Sequence, residues 1–178
     1  MTQSPLRIAD LSSRTPTAFD VTPTAEARAA LAEALGIRDI RKLRFSGEIA
    51  AVGRDDWRLT ADLGASVVQD CVVTLEPVLT RLDEKVERLY VADFVEPEGS
   101  EVEMPEDDTV EPLPTAIDLT ALMAEALALA LPAFPRAPDA DLGDAVFAAE
   151  GVAPMTDEDA KPFAGLGALR DQLSKKSD

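Results

Sequence analysis

The chain has 178 residues, of which 46% are hydrophobic and 29% are charged, and its formal net charge is -17. This length and composition are typical of one globular domain, and the core must be mainly aliphatic because only 4% of the residues are aromatic. The charge opposes a broad phosphate-binding surface, since nucleic-acid affinity comes from neutralising phosphates with Lys and Arg. A basic partner is electrostatically easier to accommodate.

The sequence lacks the side chains on which most enzymes depend. It contains no histidine and a single cysteine, Cys71. The missing imidazole excludes histidine-dependent triads and the commonest metal ligand. The acidic pairs at 55–56 and 107–108 lack the alternating ligand spacing of a calcium loop. We therefore expect no catalytic residue, no cofactor and no metal, and we interpret Cys71 as a small buried hydrophobe.

The sequence also predicts where the protein works. A lone cysteine cannot form an intramolecular disulfide, which indicates a reducing compartment. The N-terminus lacks the features of a signal peptide, and no apolar run is long enough to span a bilayer. We expect a soluble, cytoplasmic protein with no membrane contact.

The first 36 residues predict edge strands followed by a helix. Short apolar pieces broken by Ser, Thr and Pro over residues 5–21 favour one or two edge strands. The helix that follows has Thr22 or Thr24 as its cap and Gly36 as its stop.

Residues 40–68 change to a period of two and predict a hairpin. Leu43 and Phe45 alternate with charged neighbours such as Lys42, and a Gly-Arg-Asp-Asp turn occupies 53–56. This pattern predicts two long antiparallel strands with one apolar face and one solvent-exposed face that carries the basic residues.

The next segment predicts more strands and then a loop. A third strand is expected over 67–75, Pro77 is expected to break it, and a fourth strand follows over 78–94, giving a four-stranded antiparallel meander. Residues 95–114 hold eight acids, four prolines and no basic residue, which predicts a flexible loop.

A second helix and a tail complete the chain. Asp118 is the expected cap of an apolar helix that ends at Pro132. The predicted fold class is α+β: an antiparallel sheet, either open or curved toward a partial barrel, covered by the two helices. We expect one domain over residues 1–135, and over 136–178 a mostly flexible tail with a short terminal helix.

One stretch departs from the overall acidity. Its basic residues form a candidate contact site for RNA or a protein partner, in which the hairpin residues share one solvent face. The alternative is a wet sheet face that pairs with its own acids. The residues are Arg38, Arg41, Lys42, Arg44 and Arg58.

The order of several loose motifs resembles the YceD family, the large ribosomal RNA subunit accumulation proteins. The resemblance spans roughly residues 5 to 173, and it depends on the order of elements more than on any single motif. The elements are Cys71-x-x-x-Leu75-Glu76-Pro77, the acidic linker, Ile117-Asp118-Leu119 opening the apolar helix, Leu131-Pro132, and KPFAGLGALRDQL at 161–173.

The resemblance implies a non-enzymatic factor needed for accumulation of large-subunit ribosomal RNA in bacteria or plastids. Its implied partner is a ribosomal protein or a pre-ribosomal particle of the large subunit, with limited rRNA contact. Many relatives read Cys-x-Arg-Cys-Leu and carry further cysteines near the C-terminus. Here Val73 and Thr74 replace the Arg and the second Cys, so a cysteine-bound metal is not expected.

The retained Leu75, Glu76 and Pro77 fit a strand that ends in a turn, whose carboxylate holds either a partner or a backbone amide. Two rival functions stay open. One is an acidic protein-binding adaptor unrelated to RNA, and the other is a hydrolase that uses only carboxylates, which would need two acids converging in a partly buried cleft.

Overall fold

The computed structural model describes residues 5–94, 109–141, 148–149, 151–153 and 155. The chain divides into two compact units, Met1–Ala140 and Asp141–Asp178, and the helices and strands described below belong to the first. Its elements are β1 (Leu6–Arg7), β2 (Thr17–Val21), α1 (Ala25–Ala34), β3 (Asp39–Val52), β4 (Asp56–Asp70), β5 (Pro77–Val91), β6 (Val110–Pro112), β7 (Ala116–Ile117) and α2 (Leu119–Ala130).

A five-stranded sheet with the order β2-β3-β4-β5-β6 forms the body of this unit. The first four strands run antiparallel to their neighbours, while β6 pairs with β5 in parallel. Within the described residues β2 and β6 are the two edges, so the sheet is open. The α+β class is confirmed, and the sheet does not close into a barrel. A separate two-stranded sheet joins β1 to β7.

The predicted hairpin is confirmed as β3 and β4, which pair from Asp39 with Val68 to Val52 with Asp56. The turn between them includes Gly53 at φ +64°, a conformation that glycine adopts without steric cost. Gly47 serves a different purpose, because a Cβ there would lie 2.1 Å from the carbonyl oxygen of Thr60. The two strands approach each other too closely at this point for any side chain.

The core lies on the inner face of the sheet, under α2. Period-two alternation buries every second residue of β4, and the ring centroids of Phe19 and Phe45 lie 5.4 Å apart. The side chain of Asp118 accepts hydrogen bonds from the backbone N–H groups of Thr120 and Ala121, as the sequence predicts for a helix cap. Five residues of α2 are buried: Leu119, Leu122, Met123, Ala126 and Leu127.

The first helix is also confirmed, but it packs differently from the second. Thr24 is its cap and accepts a hydrogen bond from the N–H of Ala27, and Gly36 has φ +65° just after it. Ala32 is its only buried residue. Arg28 ties the helix to β3 by donating to the carbonyl oxygen of Ile40 at 3.0 Å.

Three predictions about the middle of the chain are wrong. There is no strand over 67–75, because Val67 to Asp70 are the end of β4 and a turn follows. Pro77 begins β5 instead of breaking a strand, a position where its missing N–H costs no ladder bond. The predicted loop 95–114 contains β6, so the sheet is not a four-stranded meander.

Other predictions concern residues outside the described part of the chain. These are the flexibility of the acidic segment 95–108 and the terminal helix of the tail after 156. The division into 1–135 and 136–178 stays a prediction for the same reason. In the described part, no helix is long and apolar enough to cross a membrane.

Candidate nucleic-acid interface

The outer face of the sheet carries the basic residues of interest, and strand register decides which of them meet. Ser66 on β4 lies between Lys42 on β3 and Arg81 on β5. Neighbouring strands are about 4.8 Å apart. The backbones of Lys42 and Arg81, on either side of β4, are therefore separated by roughly twice that distance. Two positions further along β4, Gly64 presents no side chain between the flanking strands.

These strands line a groove of ≈ 700 Å³. Six basic and three acidic side chains border it, a local excess of positive charge on a chain whose net charge is -17. The basic members are Arg28, Arg41, Lys42, Arg44, Arg81 and Lys85, and the acidic members are Asp62, Asp83 and Glu84.

Two arginines at the groove are held by carboxylates. Arg44 donates from Nε and Nη2 to the two oxygens of Asp20, at 3.1 and 2.7 Å. Arg81 makes the same two-point contact with Asp83. Hydrogen bonds from the arginines hold the pKa of Asp20 and of Asp83 below the ordinary value. Each guanidinium uses two of its five N–H donors in this way, which leaves three for another ligand.

The other four basic residues at the groove have no ion-pair partner within the described residues: Arg28, which donates to the carbonyl oxygens of Ile40 and Pro23, and Arg41, Lys42 and Lys85. Arg41 lies at an irregularity of β3, where the register shifts between Ile40 and Lys42. A bulge of this kind re-aims the side chain of the extra residue, and it brings Arg41 to the groove.

The structure divides the predicted basic site. Arg41, Lys42 and Arg44 come together at the groove. Arg58 lies on the same sheet face, but it pairs with Ala50, six residues along β4 from Gly64. That separation is about 20 Å along a strand. Arg38 precedes β3 and forms an ion pair with Asp70 at 2.9 Å. These two residues are therefore not part of the groove.

Sequence reasoning missed Arg81 and Lys85, which form the β5 side of the groove. Both lie in a segment that was recognised as a strand with mixed charges. Their signal was the two-residue period of β5, which puts positions 81 and 85 on one face. The register with β4 was needed to show that this face adjoins Lys42 and Arg44.

The second sequence feature, Cys71 to Pro77, forms the tight connection between β4 and β5. The N–H of Cys71 donates to the Glu76 carbonyl at 2.8 Å, and the N–H of Leu75 donates to the Cys71 carbonyl at 2.9 Å. Leu75 has φ +61°, which a residue with a side chain adopts only when its surroundings hold it there. Its side chain is exposed. The predicted turn is present, with Pro77 as the first residue of β5.

The thiol of Cys71 is buried and acts as a hydrogen-bond acceptor. The N–H groups of Val73, Thr74 and Ala137 each lie 3.4 Å from its sulfur. A hydrogen bond with the Thr74 side chain, followed by those from the backbone N–H groups, lowers the pKa of Cys71 to about 7, although burial opposes the change. Thr74 therefore supports the thiol through both its side chain and its backbone N–H.

Within the described residues, no group of three or more His, Cys, Asp and Glu side chains is arranged to hold a metal ion. The family model for the large ribosomal RNA subunit accumulation protein YceD matches residues 59–170, more than half of the 178 residues. The chain belongs to the YceD family. Neither a curated protein nor a solved structure matches it.

The YceD match begins inside β4 and includes the Cys71–Pro77 turn and α2. The β5 side of the groove, with Arg81 and Lys85, lies within the matched range. Lys42 and Arg44 on β3 precede it. The part of the chain that identifies the family therefore supplies one side of the groove and all of the connecting turn.

Proposed function

We propose that this protein supports the accumulation of large-subunit ribosomal RNA without catalysing a reaction, by binding a ribosomal protein or a pre-ribosomal particle in the cytoplasm. The observation that carries the proposal is the family match over residues 59–170. The family's name refers to large ribosomal RNA subunit accumulation, and the present chain shares more than half its length with that model.

The chemistry of the chain supports a binding role. The sequence has no histidine to act as general base. Asp20 and Asp83 both have lowered pKa values because each is bonded to an arginine, whereas a carboxyl group acting as a general acid needs a raised value. The three hydrogen bonds to Cys71 hold a buried sulfur, which favours a structural role for this residue.

The charge of the chain favours a second candidate, an acidic adaptor that binds basic proteins without RNA. A net charge of -17 attracts basic proteins over a distance of about a Debye length. The two candidates differ in one respect. An adaptor keeps its partners when RNA is digested, whereas a factor on a pre-ribosomal particle loses most of them.

The test is affinity purification of the tagged full chain from its native host, with and without nuclease and at low and high salt. We expect large-subunit ribosomal proteins and precursor rRNA in the untreated sample, and loss of most of that set after nuclease digestion. Recovery of an unchanged set of non-ribosomal partners after digestion would contradict the proposal and support the adaptor.

A further inference from the structure

The groove on the outer face concentrates positive charge on a protein that otherwise repels phosphate. Its six basic residues outnumber its three acidic residues, although Asp20, beside the groove, is paired with Arg44. Nucleic-acid affinity depends on local cations that neutralise phosphates, so a compact basic groove can bind RNA on an acidic protein. The negative charge elsewhere then restricts contact to this groove.

The groove also has donors on both of its sides. Lys42 and Arg44 alternate along β3 and Arg81 and Lys85 lie four residues apart on β5. Positions two apart on a strand are separated by about 6.6 Å and positions four apart by about 13 Å. A Cβ on Gly64 would lie 2.8 Å from the Arg81 guanidinium, so this guanidinium reaches across β4 above Gly64. A phosphate backbone along β4 meets cations on both flanking strands, and it also passes Asp62 on β4 and Asp83 between Arg81 and Lys85 on β5.

We infer that the groove formed by Lys42, Arg44, Arg81 and Lys85, with Arg41 at the bulge, is the surface that contacts the phosphate backbone of RNA. The inference rests on the proposed function and specifies which part of the molecule touches the rRNA. Contacts with the phosphate backbone fix the position and the affinity of the bound RNA but do not discriminate between base sequences. Arg58 and Arg38 of the sequence prediction lie outside the contact.

RNA fits this groove better than an acidic protein segment does. The two paired arginines keep free N–H donors in the planar arrangement that suits phosphate oxygens. The large hydrophobic residues Leu43 and Leu63 that border the groove are themselves buried in the core. A protein ligand of useful affinity usually needs apolar anchors in a pocket, and this groove offers none from large exposed side chains.

The experiment measures binding of the purified full chain to fluorescein-labelled single-stranded oligouridylate by anisotropy across a salt series. The test variant is Lys42→Glu with Lys85→Glu, because neither side chain has an ion-pair partner among the described residues. The matched control is Arg54→Glu with Arg58→Glu, which makes the same charge change away from the groove. Circular dichroism verifies that both variants are folded.

We expect the groove variant to weaken binding about tenfold and to lower the slope of log K against log salt by about 1.4, since each phosphate contact on a single strand contributes about 0.7. The control variant should change affinity less than about threefold through general repulsion. Equal losses in both variants, or no loss in either, would overturn the inference. Tighter binding of polyglutamate than of oligouridylate would overturn it in favour of an acidic protein partner.

A cellular arm separates this inference from the proposed function. The groove variant is expressed in a strain that lacks the chain, and large-subunit rRNA is measured. Deletion should lower large-subunit rRNA, and the control variant should restore it whereas the groove variant should not. This result would support both the proposed function and the groove as the RNA contact. Full restoration by the groove variant overturns the groove alone, whereas no effect of the deletion overturns the proposed function.

Discussion

Arg88 on β5 links α2, which packs on the inner face of the sheet, to the edge strand β6, and its replacement by methionine gives the sharpest test of the packing. Its side chain is only 17% exposed. Nη2 donates to Glu125 of α2 at 2.7 Å, and Nε lies 2.7 Å from a carboxylate oxygen of Glu111 on β6. The second contact is an ion pair without hydrogen-bond geometry. Despite burial, the pKa of Arg88 is raised by Glu125 and Glu111.

The cost of Arg88→Met follows from these contacts. A charge-assisted hydrogen bond contributes about 1.5–3 kcal/mol when buried, but Glu125 is half exposed, which reduces the value to about 1 kcal/mol. The ion pair with Glu111 adds about 0.5–1 kcal/mol. Methionine keeps most of the apolar stem packing, so we expect a loss of about 1.5–2 kcal/mol in the free energy of unfolding.

Urea denaturation measures this loss as a lower midpoint at an unchanged slope. Arg54→Met is the matched control, because the Arg54 side chain is 95% exposed and its nearest carboxylate contact is 3.8 Å long; it should leave the midpoint unchanged. Equal or greater stability of Arg88→Met would contradict a net stabilising role for the Arg88 contacts. It would mean that the desolvation of the guanidinium exceeds its attraction to the two carboxylates.

Three further predictions concern the fold and the connecting turn. Gly47→Ala should cost about 3 kcal/mol in urea denaturation, because its Cβ would collide with backbone; Gly64→Ala should cost less, because a flexible arginine end can move. Asp118→Ala should lower the free energy of unfolding by about 1 kcal/mol because α2 loses its cap, whereas Asp118→Asn should keep most of this stability. Folding lowers the pKa of Cys71 from 9.0 to about 7. The native chain should therefore gain stability relative to Cys71→Ser as pH rises from about 7 to 9.0, and it should lose this gain as pH falls through about 7.

Each of these has an outcome that would contradict it. An unaffected midpoint for Gly47→Ala would mean that β3 and β4 are not as close as described. Equal losses for the Asn and Ala variants at 118 would show that the side-chain oxygen does not cap the helix. A pH profile of Cys71→Ser parallel to that of the native chain would show that the sulfur is not held as a thiolate.

The sequence predicted the features that depend on local patterns. The hairpin of β3 and β4 follows from a two-residue period around a glycine turn. The cap of α2 follows from Asp118, and the cap of α1 is narrowed by the sequence to Thr22 or Thr24, of which the structure uses Thr24. The error at 67–75 concerns a strand boundary, because Val67 and Val68 belong to the end of β4, which extends to Asp70. Pro77 was interpreted as a breaker, whereas the first position of a strand tolerates proline.

Features that depend on pairing between distant segments were not predictable. The parallel contact of Leu89 with Val110 joins β5 to a three-residue strand beyond the acidic segment, and three residues carry almost no periodic signal. The candidate site was half predicted for the same reason. Lys42 and Arg44 could be recognised on one hairpin, but only the register of β5 against β4 adds Arg81 and Lys85. The pairing of Arg58 with Ala50 in the β3–β4 hairpin puts Arg58 outside the groove.

If the proposed function is right, large-subunit rRNA accumulates normally only when the chain is present. The most direct measurement is the ratio of large- to small-subunit rRNA in a strain that lacks the chain, compared with the same strain carrying the full chain. We expect a lowered ratio that the full chain restores. An unchanged ratio under conditions where the protein is normally expressed would contradict it.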